Sequence, residues 1–334
     1  MLRRLISMRS QRHWFRFMTA VQLLPALESG EETLVGGQAV LEGVMMRSPH
    51  AFSIAVRNPQ KQVVHHTEPI ERLSEKHKWM GWPFLRGVMT LGQAIALGFK
   101  ALKFSANVAL AEEGEEQKSI ESNGWAMALN VILSLGFFIF MYKFLPLLGA
   151  KELKHVNPVF GHQIWFNVAD GVIRIAIFLL FIWATSLMKD LHRVYEYHGA
   201  EHKTVFAFEN HDPLTNAEVQ KYSTYHPRCG TSFLMTVMLI SMVVYLFIPV
   251  SWPLWGRFLM RVALLPFIAG TSYEIIRFAA KRKNALFTLL TLPGMWLQRI
   301  TTQPPDDSQV ECAISALDQA MELEKQRGGE LVIG

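Results

Sequence analysis

Residues 164–188 read IWFNVADGVIRIAIFLLFIWATSLM, twenty-five positions with one acid and one base among them. A run of roughly 20 mostly apolar residues is what a helix needs to cross a bilayer. This stretch is not alone. Runs of comparable character occupy 124–148, 231–250 and 255–279. The composition agrees: half of the 334 residues are hydrophobic and 18% are charged, against about a quarter charged in an ordinary soluble chain. The expectation is a mainly α, polytopic helical membrane protein of about four spans. Residues 82–109 form a fifth run, broken by Arg86, Lys100 and Lys103, which reads as a re-entrant, interfacial or buried amphipathic helix. Residues 285–300 read as a further surface-lying segment.

Orientation follows from the basic residues. Arg3, Arg4, Arg9, Arg12 and Arg16 precede any acid, and Lys281-Arg282-Lys283 follows the last run. Lys and Arg are enriched on the cytosolic side. With four spans both ends share that side, so the termini and the loop 189–230 are expected in the cytosol. Residues 1–30 are basic and amphipathic and read as an interfacial segment in preference to an organellar transit peptide. The net charge of +5 comes without a basic stripe interleaved with aromatics, so nucleic acid is not an expected partner. The expected partners are the lipid bilayer and other membrane proteins. Two cysteines form no disulfide framework. The sequence carries no signal for oligomeric state.

Between the basic segment and the first run, residues 31–80 read as a small cytosolic β unit. The strand-like runs 52–57 and 62–66 flank the turn signal Asn58-Pro59-Gln60-Lys61. The helical membrane domain then occupies 81–300. The tail, 301–334, carries a helix with the apolar stripe Val310, Ala313, Ile314, Leu317, Ala320 and Met321. Ser308 and Glu311 suggest its capping box, and Gly328-Gly329 its stop. Its expected partner is the chain's own cytosolic domain.

The chemistry concentrates in YHGAEHK, residues 197–203. On a helix, His202 lies about 40° from His198 and Glu201 about 60° to the other side. Two imidazoles so placed can grip one Zn²⁺-class ion, and the carboxylate between them can reach an activated water. The H-x-x-E-H order is that of the inverted zincins. The expectation is that His198 and His202 bind the ion and that Glu201 is the general base. Cys229, His226 and Glu274 are the candidates for completing the metal site. Each is expected at the membrane face where the histidines lie. Asp170 and Arg174, four apart in the second run, read as a structural ion pair in preference to a transport path.

Four stretches together, GGQAVLEGVMMRSP from Gly36, YHGAEHKTVFAFE from Tyr197, HPRCGTSFL from His226 and AGTSYE ending at Glu274, resemble the YqhQ-like family of bacterial membrane proteins. That family is catalogued as a domain of unknown function and described as predicted metal-dependent enzymes. The resemblance runs from about Thr33 to Gln298. It implies a multi-pass protein of the bacterial inner membrane with His198, Glu201, His202, His226 and Cys229 as signature positions. It also marks Glu42 and Arg47. These could bind polar groups of a substrate or hold the β unit through a salt bridge, and the structural role is preferred. The resulting expectation is a metal-dependent hydrolase acting on a lipid headgroup or a membrane-protein segment. The alternative is a non-enzymatic assembly factor with a closed, four-ligand structural metal.

Overall fold

The computed structural model describes residues 35–71, 77–109, 124–227, 229–281 and 285–326. The expectations placed on the basic segment 1–30, on most of the basic cluster after the last run and on Gly328-Gly329 lie outside the described residues. The fold is mainly helical with one four-stranded sheet.

The strands β1 (Gly36–Val40), β2 (Gly43–Arg47), β3 (Ala51–Arg57) and β4 (Val63–Pro69) form an antiparallel meander. The turn expected at residues 58–61 closes β3 onto β4: Asn58 Oδ1 accepts from the Gln62 N–H at 2.8 Å, and Arg57 pairs with Val63. Side chains alternate between the two faces, and both faces are covered. Val44, Met46 and Ala55 point one way, toward α5 (Lys189–Glu209) and α11 (Asp307–Gln326). Met45, Phe52, Ile54 and Val56 point the other way, toward α1 (Leu85–Ala109), which buries Ala101 and Val108 against them. Burial on both sides explains why β2 and β3 are near-continuous apolar runs and not alternating ones.

The tail helix docks through the stripe read from the sequence: Val310, Ala313, Leu317 and Ala320 are fully buried. Its N-terminus differs from the expected box. Asp306 Oδ1 accepts from the Gln309 N–H and Gln309 Oε1 accepts from the Asp306 N–H, each at 2.9 Å. Two overlapping boxes compete here, and Glu311 of the other one is drawn off to Arg57 of β3 at 2.9 Å.

Between the sheet and α5 run the long apolar helices. α2 (Gly124–Ile139) passes through a π-helical turn, Phe140–Phe144, into α3 (Leu145–Val156), and α4 (Gln163–Ser186) follows. After α5 and the short α6 (Asn216–Val219) come α7 (Gly230–Tyr245), α8 (Leu254–Ala263), α9 (Leu265–Lys281) and α10 (Ala285–Thr301). Two helices, Ile132–Val156 and Gln163–Ser186, are long and apolar enough to cross a membrane. The count becomes three if the pair Leu254–Ala263 and Leu265–Phe278, bent by 45°, is one span. Among the described residues the helices therefore do not offer four full spans. The run 231–250 yields only 16 helical residues, about 24 Å against about 30 Å of hydrocarbon. The run 255–279 breaks near Leu264, where buried Arg257 and Arg261 demand polar company. The run 82–109 becomes the helix that covers the sheet. The 285–300 segment packs against α7, with Gly294 on Ser232 and with Leu297 and Gln298 buried.

Candidate functional site

The middle of α5 is its most buried part: Tyr197, Gly199 through Val205 and Ala207 are all inside. One face meets β1, another the strap after α10. Gly199 sits where that strap crosses; a Cβ there would come within 2.0 Å of the Gln303 carbonyl oxygen. The crossing is closed by a hydrogen bond from the Gln303 N–H to the Tyr195 carbonyl at 2.9 Å. Gly37 plays the matching part on β1, where a Cβ would meet the Glu201 side chain at 2.9 Å. The glycines of both motifs are thus sites of close backbone approach to the same helix.

The structure brings His198, His202 and Cys229 together. One ligand atom from each lies within 4.8 Å of the others. The imidazole centroids are 4.4 Å apart, and His198 Nε2 lies 3.2 Å from Cys229 Sγ. Both rings are held from behind. His198 Nδ1 faces the Thr301 carbonyl at 2.7 Å and His202 Nδ1 the Thr224 carbonyl at 2.5 Å. A carbonyl only accepts, so each Nδ1 carries the proton and each Nε2 keeps its lone pair toward the cluster. Cys229 stands at the N-cap of α7, its sulfur also 3.2 Å from Thr231 Oγ1.

Burial sets the protonation states. It pushes His202 below the ordinary imidazole value, with the His198 charge adding to the effect. Burial alone would raise the Cys229 thiol; the neighbouring His202 imidazole and the hydroxyl and N–H of Thr231 together outweigh this, and the thiol lies below its ordinary value. Glu201 is pushed up to about 7 by burial, against the opposing pull of His198, the Gly37 N–H and Arg47. Its Oε2, like His202 Nε2, is buried without a hydrogen-bond partner among the described residues. Orphaned buried acceptors are costly. Both belong to residues read from the motif.

The other candidates lie elsewhere. His226 is near, its ring centroid 5.7 Å from that of His202, but its Nε2 lies 3.4 Å from Glu209 Oε2, and burial pushes it to about 4. Its backbone is clamped by Gln298, which accepts from its N–H at 2.7 Å and donates to its carbonyl at 2.8 Å. Glu274 is not part of the cluster. Arg86 of α1 grips both its oxygens, one at 2.7 Å. Its expected role as third ligand is replaced by a helix–helix ion pair. Glu42 occupies the β1–β2 turn at a positive φ of 52° and pairs bidentately with Arg193 of α5 at 2.5 and 2.6 Å. That geometry fits its structural role. Arg47, at the end of β2, lies within electrostatic reach of Glu201 and Tyr273. Thr224, Thr301 and Gln298 were not among the residues singled out. The first two act through backbone carbonyls, which leave no mark in a sequence.

The donor set fits a Zn²⁺-class ion. Imidazole nitrogens and a thiol are ligand types that such an ion takes.

Comparison with known proteins adds the following. Residues 82–323 match the family described as "Protein of unknown function (DUF1385)". The chain is 34% identical over 298 residues to "Uncharacterized protein YqhQ" of Bacillus subtilis (strain 168), covering 86% of this chain and 92% of that one. No solved structure matches. On the length of both matches, this chain belongs to the DUF1385 family.

Proposed function

We propose that this protein is a metal-dependent hydrolase working at the cytosolic face of the bacterial inner membrane. The single observation that carries the reading is the orientation of the two imidazoles: each is turned by a backbone carbonyl so that its free nitrogen faces Cys229. His198, His202 and Cys229 would hold the ion. When bound, a Zn²⁺-class ion supplies Lewis acidity and lowers the pKa of water. Glu201 is the proton acceptor at Oε2, poised by burial close to neutrality. The Gly37 N–H holds its carboxylate in place, with Arg47 adding a longer-range pull, and the carbonyls of Thr224 and Thr301 keep the imidazoles from turning. His226 and Glu274 engage other partners, so the donors number three, which supports an enzyme over the assembly factor with a closed site.

The cluster lies near the ends of apolar segments: Cys229 caps the start of α7, and Thr301, whose carbonyl faces His198, ends α10. A lipid headgroup or a membrane-protein segment is the substrate class that such a position admits. The multi-pass topology with both ends cytosolic is part of the same proposal.

The test is metal content of purified full-length variants by elemental analysis, paired with rescue of a deletion strain. Wild type should carry about one zinc per chain. His198→Ala should lose metal and rescue. Glu201→Gln keeps shape and should keep metal but fail to rescue. A Glu201→Gln protein that rescues fully would favour the assembly factor. A wild type that takes up no zinc on reconstitution would end the metal reading.

A further inference from the structure

Away from the histidine cluster, the helices bury a second group of ionisable side chains. Lys143 on the π-helical turn, Asp170 and Arg174 on α4, and Arg257 and Arg261 on α8 are each 7% exposed or less. Asp170 is the only carboxylate among the described residues that pairs with this group, and it holds Arg174 and Arg261 together. Three arginines and a lysine thus share one anion among the described residues. Arg174 also donates to Ser241 Oγ at 2.7 Å and Arg261 to Asn167 Oδ1 at 3.2 Å. Both guanidinium groups lie over the Tyr245 ring, at 4.9 and 4.8 Å, while Lys143 donates to Tyr245 Oη at 2.9 Å. Arg257 has no such anchor: it lies over the Phe166 ring at 4.7 Å.

Four nitrogens here are buried without a partner among the described residues: Arg174 Nε, Arg261 Nε, and both Nε and Nη1 of Arg257. All are donors. Arginine does not shed its proton to escape burial, so an excess of positive charge stays in a low-dielectric setting where it is expensive. Water could accept the hydrogen bonds but could not balance the charge. An oxyanion does both, and guanidinium forks match phosphate oxygens in pairs. The π turn is itself a local departure from regular helix of the kind found at binding sites.

We propose that the π-helical turn, α4, α7 and α8 enclose a binding site for an oxyanion of the phosphate class, with Arg257 as its principal unengaged donor. The group could be the phosphate of an anionic phospholipid or a soluble phosphate. Lys143 and Arg174 stand midway along the two longest apolar helices, and Arg257 is one turn inside the start of α8. Arg174 is about 18 Å along α4 from the end that leads into α5. The site is therefore separate from the histidine cluster.

The experiment uses the full chain in a neutral detergent. Its thermal midpoint is followed against phosphatidylglycerol or phosphatidylcholine mixed micelles, and against inorganic phosphate or chloride at equal ionic strength. Phosphatidylglycerol or phosphate should raise the midpoint where phosphatidylcholine and chloride do not. Arg257→Gln should weaken that response about tenfold or more. A response to phosphatidylglycerol alone assigns a lipid headgroup; a response to inorganic phosphate assigns a soluble ion. Should Arg257→Gln not fold, Lys143→Met carries the same comparison, and the wild-type titrations decide if neither folds. No selective rise with either probe, or a rise that both variants leave unchanged, overturns the proposal.

Discussion

The two buried ionisable groups of this protein lack opposite things. Around His198, His202 and Cys229, the atoms left without partners are acceptors, His202 Nε2 and Glu201 Oε2. Around Asp170 they are donors, the Nε atoms of three arginines and one Nη of Arg257. Burial penalises both kinds alike, so what each group lacks names the ligand that would relieve it. Lone pairs converging on a point call for a cation. Guanidinium groups converging on one carboxylate call for a further anion. The two also differ in how they tolerate waiting: imidazole, thiol and carboxyl can each turn neutral, whereas arginine cannot.

The largest effect that would break this contrast is expected from Asp170→Asn. It removes the one negative charge facing Arg174 and Arg261, and should destabilise the full chain by about 3–5 kcal/mol, read as a lowered thermal midpoint in detergent. A neutral outcome would mean that the arginines are already compensated by some other group.

Gly199→Ala comes next. The added carbon must displace the Gln303 carbonyl, so about 1–3 kcal/mol is expected, with the zinc content of the proposed site falling because Thr301, which holds His198, ends the helix that leads into the strap. Loss of stability with full zinc content would detach the strap from the histidine cluster.

The Glu42–Arg193 pair at the edge of the sheet sharpens the comparison from the other side, because water can replace what is removed. Glu42→Gln leaves a half-exposed Arg193 and should cost at most about 1 kcal/mol. Glu324 is buried, and acid can switch its contribution off. Burial alone would raise its pKa, but bonds from Ser48 and from the backbone and ring of His50 outweigh that and hold it below the ordinary 4.5. Its contribution is therefore present at neutral pH and lost as the pH falls through the depressed folded value. The midpoints of wild type and Glu324→Gln should converge below about pH 4.5 in a pH series, and a gap that widens on acidification would reverse the assignment.

The readable parts of the sequence were those where chemistry and spacing coincide on one element. His198, Glu201 and His202 share a turn of α5, Asn58 to Lys61 make their own turn, and the tail's apolar stripe lies on one helix face. Long-range choices were not readable in that way. Glu274 looks like a ligand until Arg86, 188 positions away, claims both its oxygens. Ser308 and Glu311 look like a cap until Arg57 takes the glutamate. The apolar runs are real, but two charged side chains and a break at Leu264 turn one of them into a bent pair, and another ends after 16 helical residues. The glycines of both motifs were visible as glycines; the backbone that presses on each arrives from a distant part of the chain.

The packing of β1 and β2, α5 and α11 around one core has a topological consequence. The sheet, the histidine helix and the tail are one body, so all three must stand on the same side of any bilayer the chain traverses. Parity then governs the path. Every excursion between Ile70 and Lys189, and again between Glu209 and Asp307, must return to where it began. The first is met by the antiparallel pair of long helices. The second admits no solitary crossing: if the bent pair of α8 and α9 traverses the bilayer, another segment of that stretch traverses it too, and otherwise both dip in and come back out on the side they left.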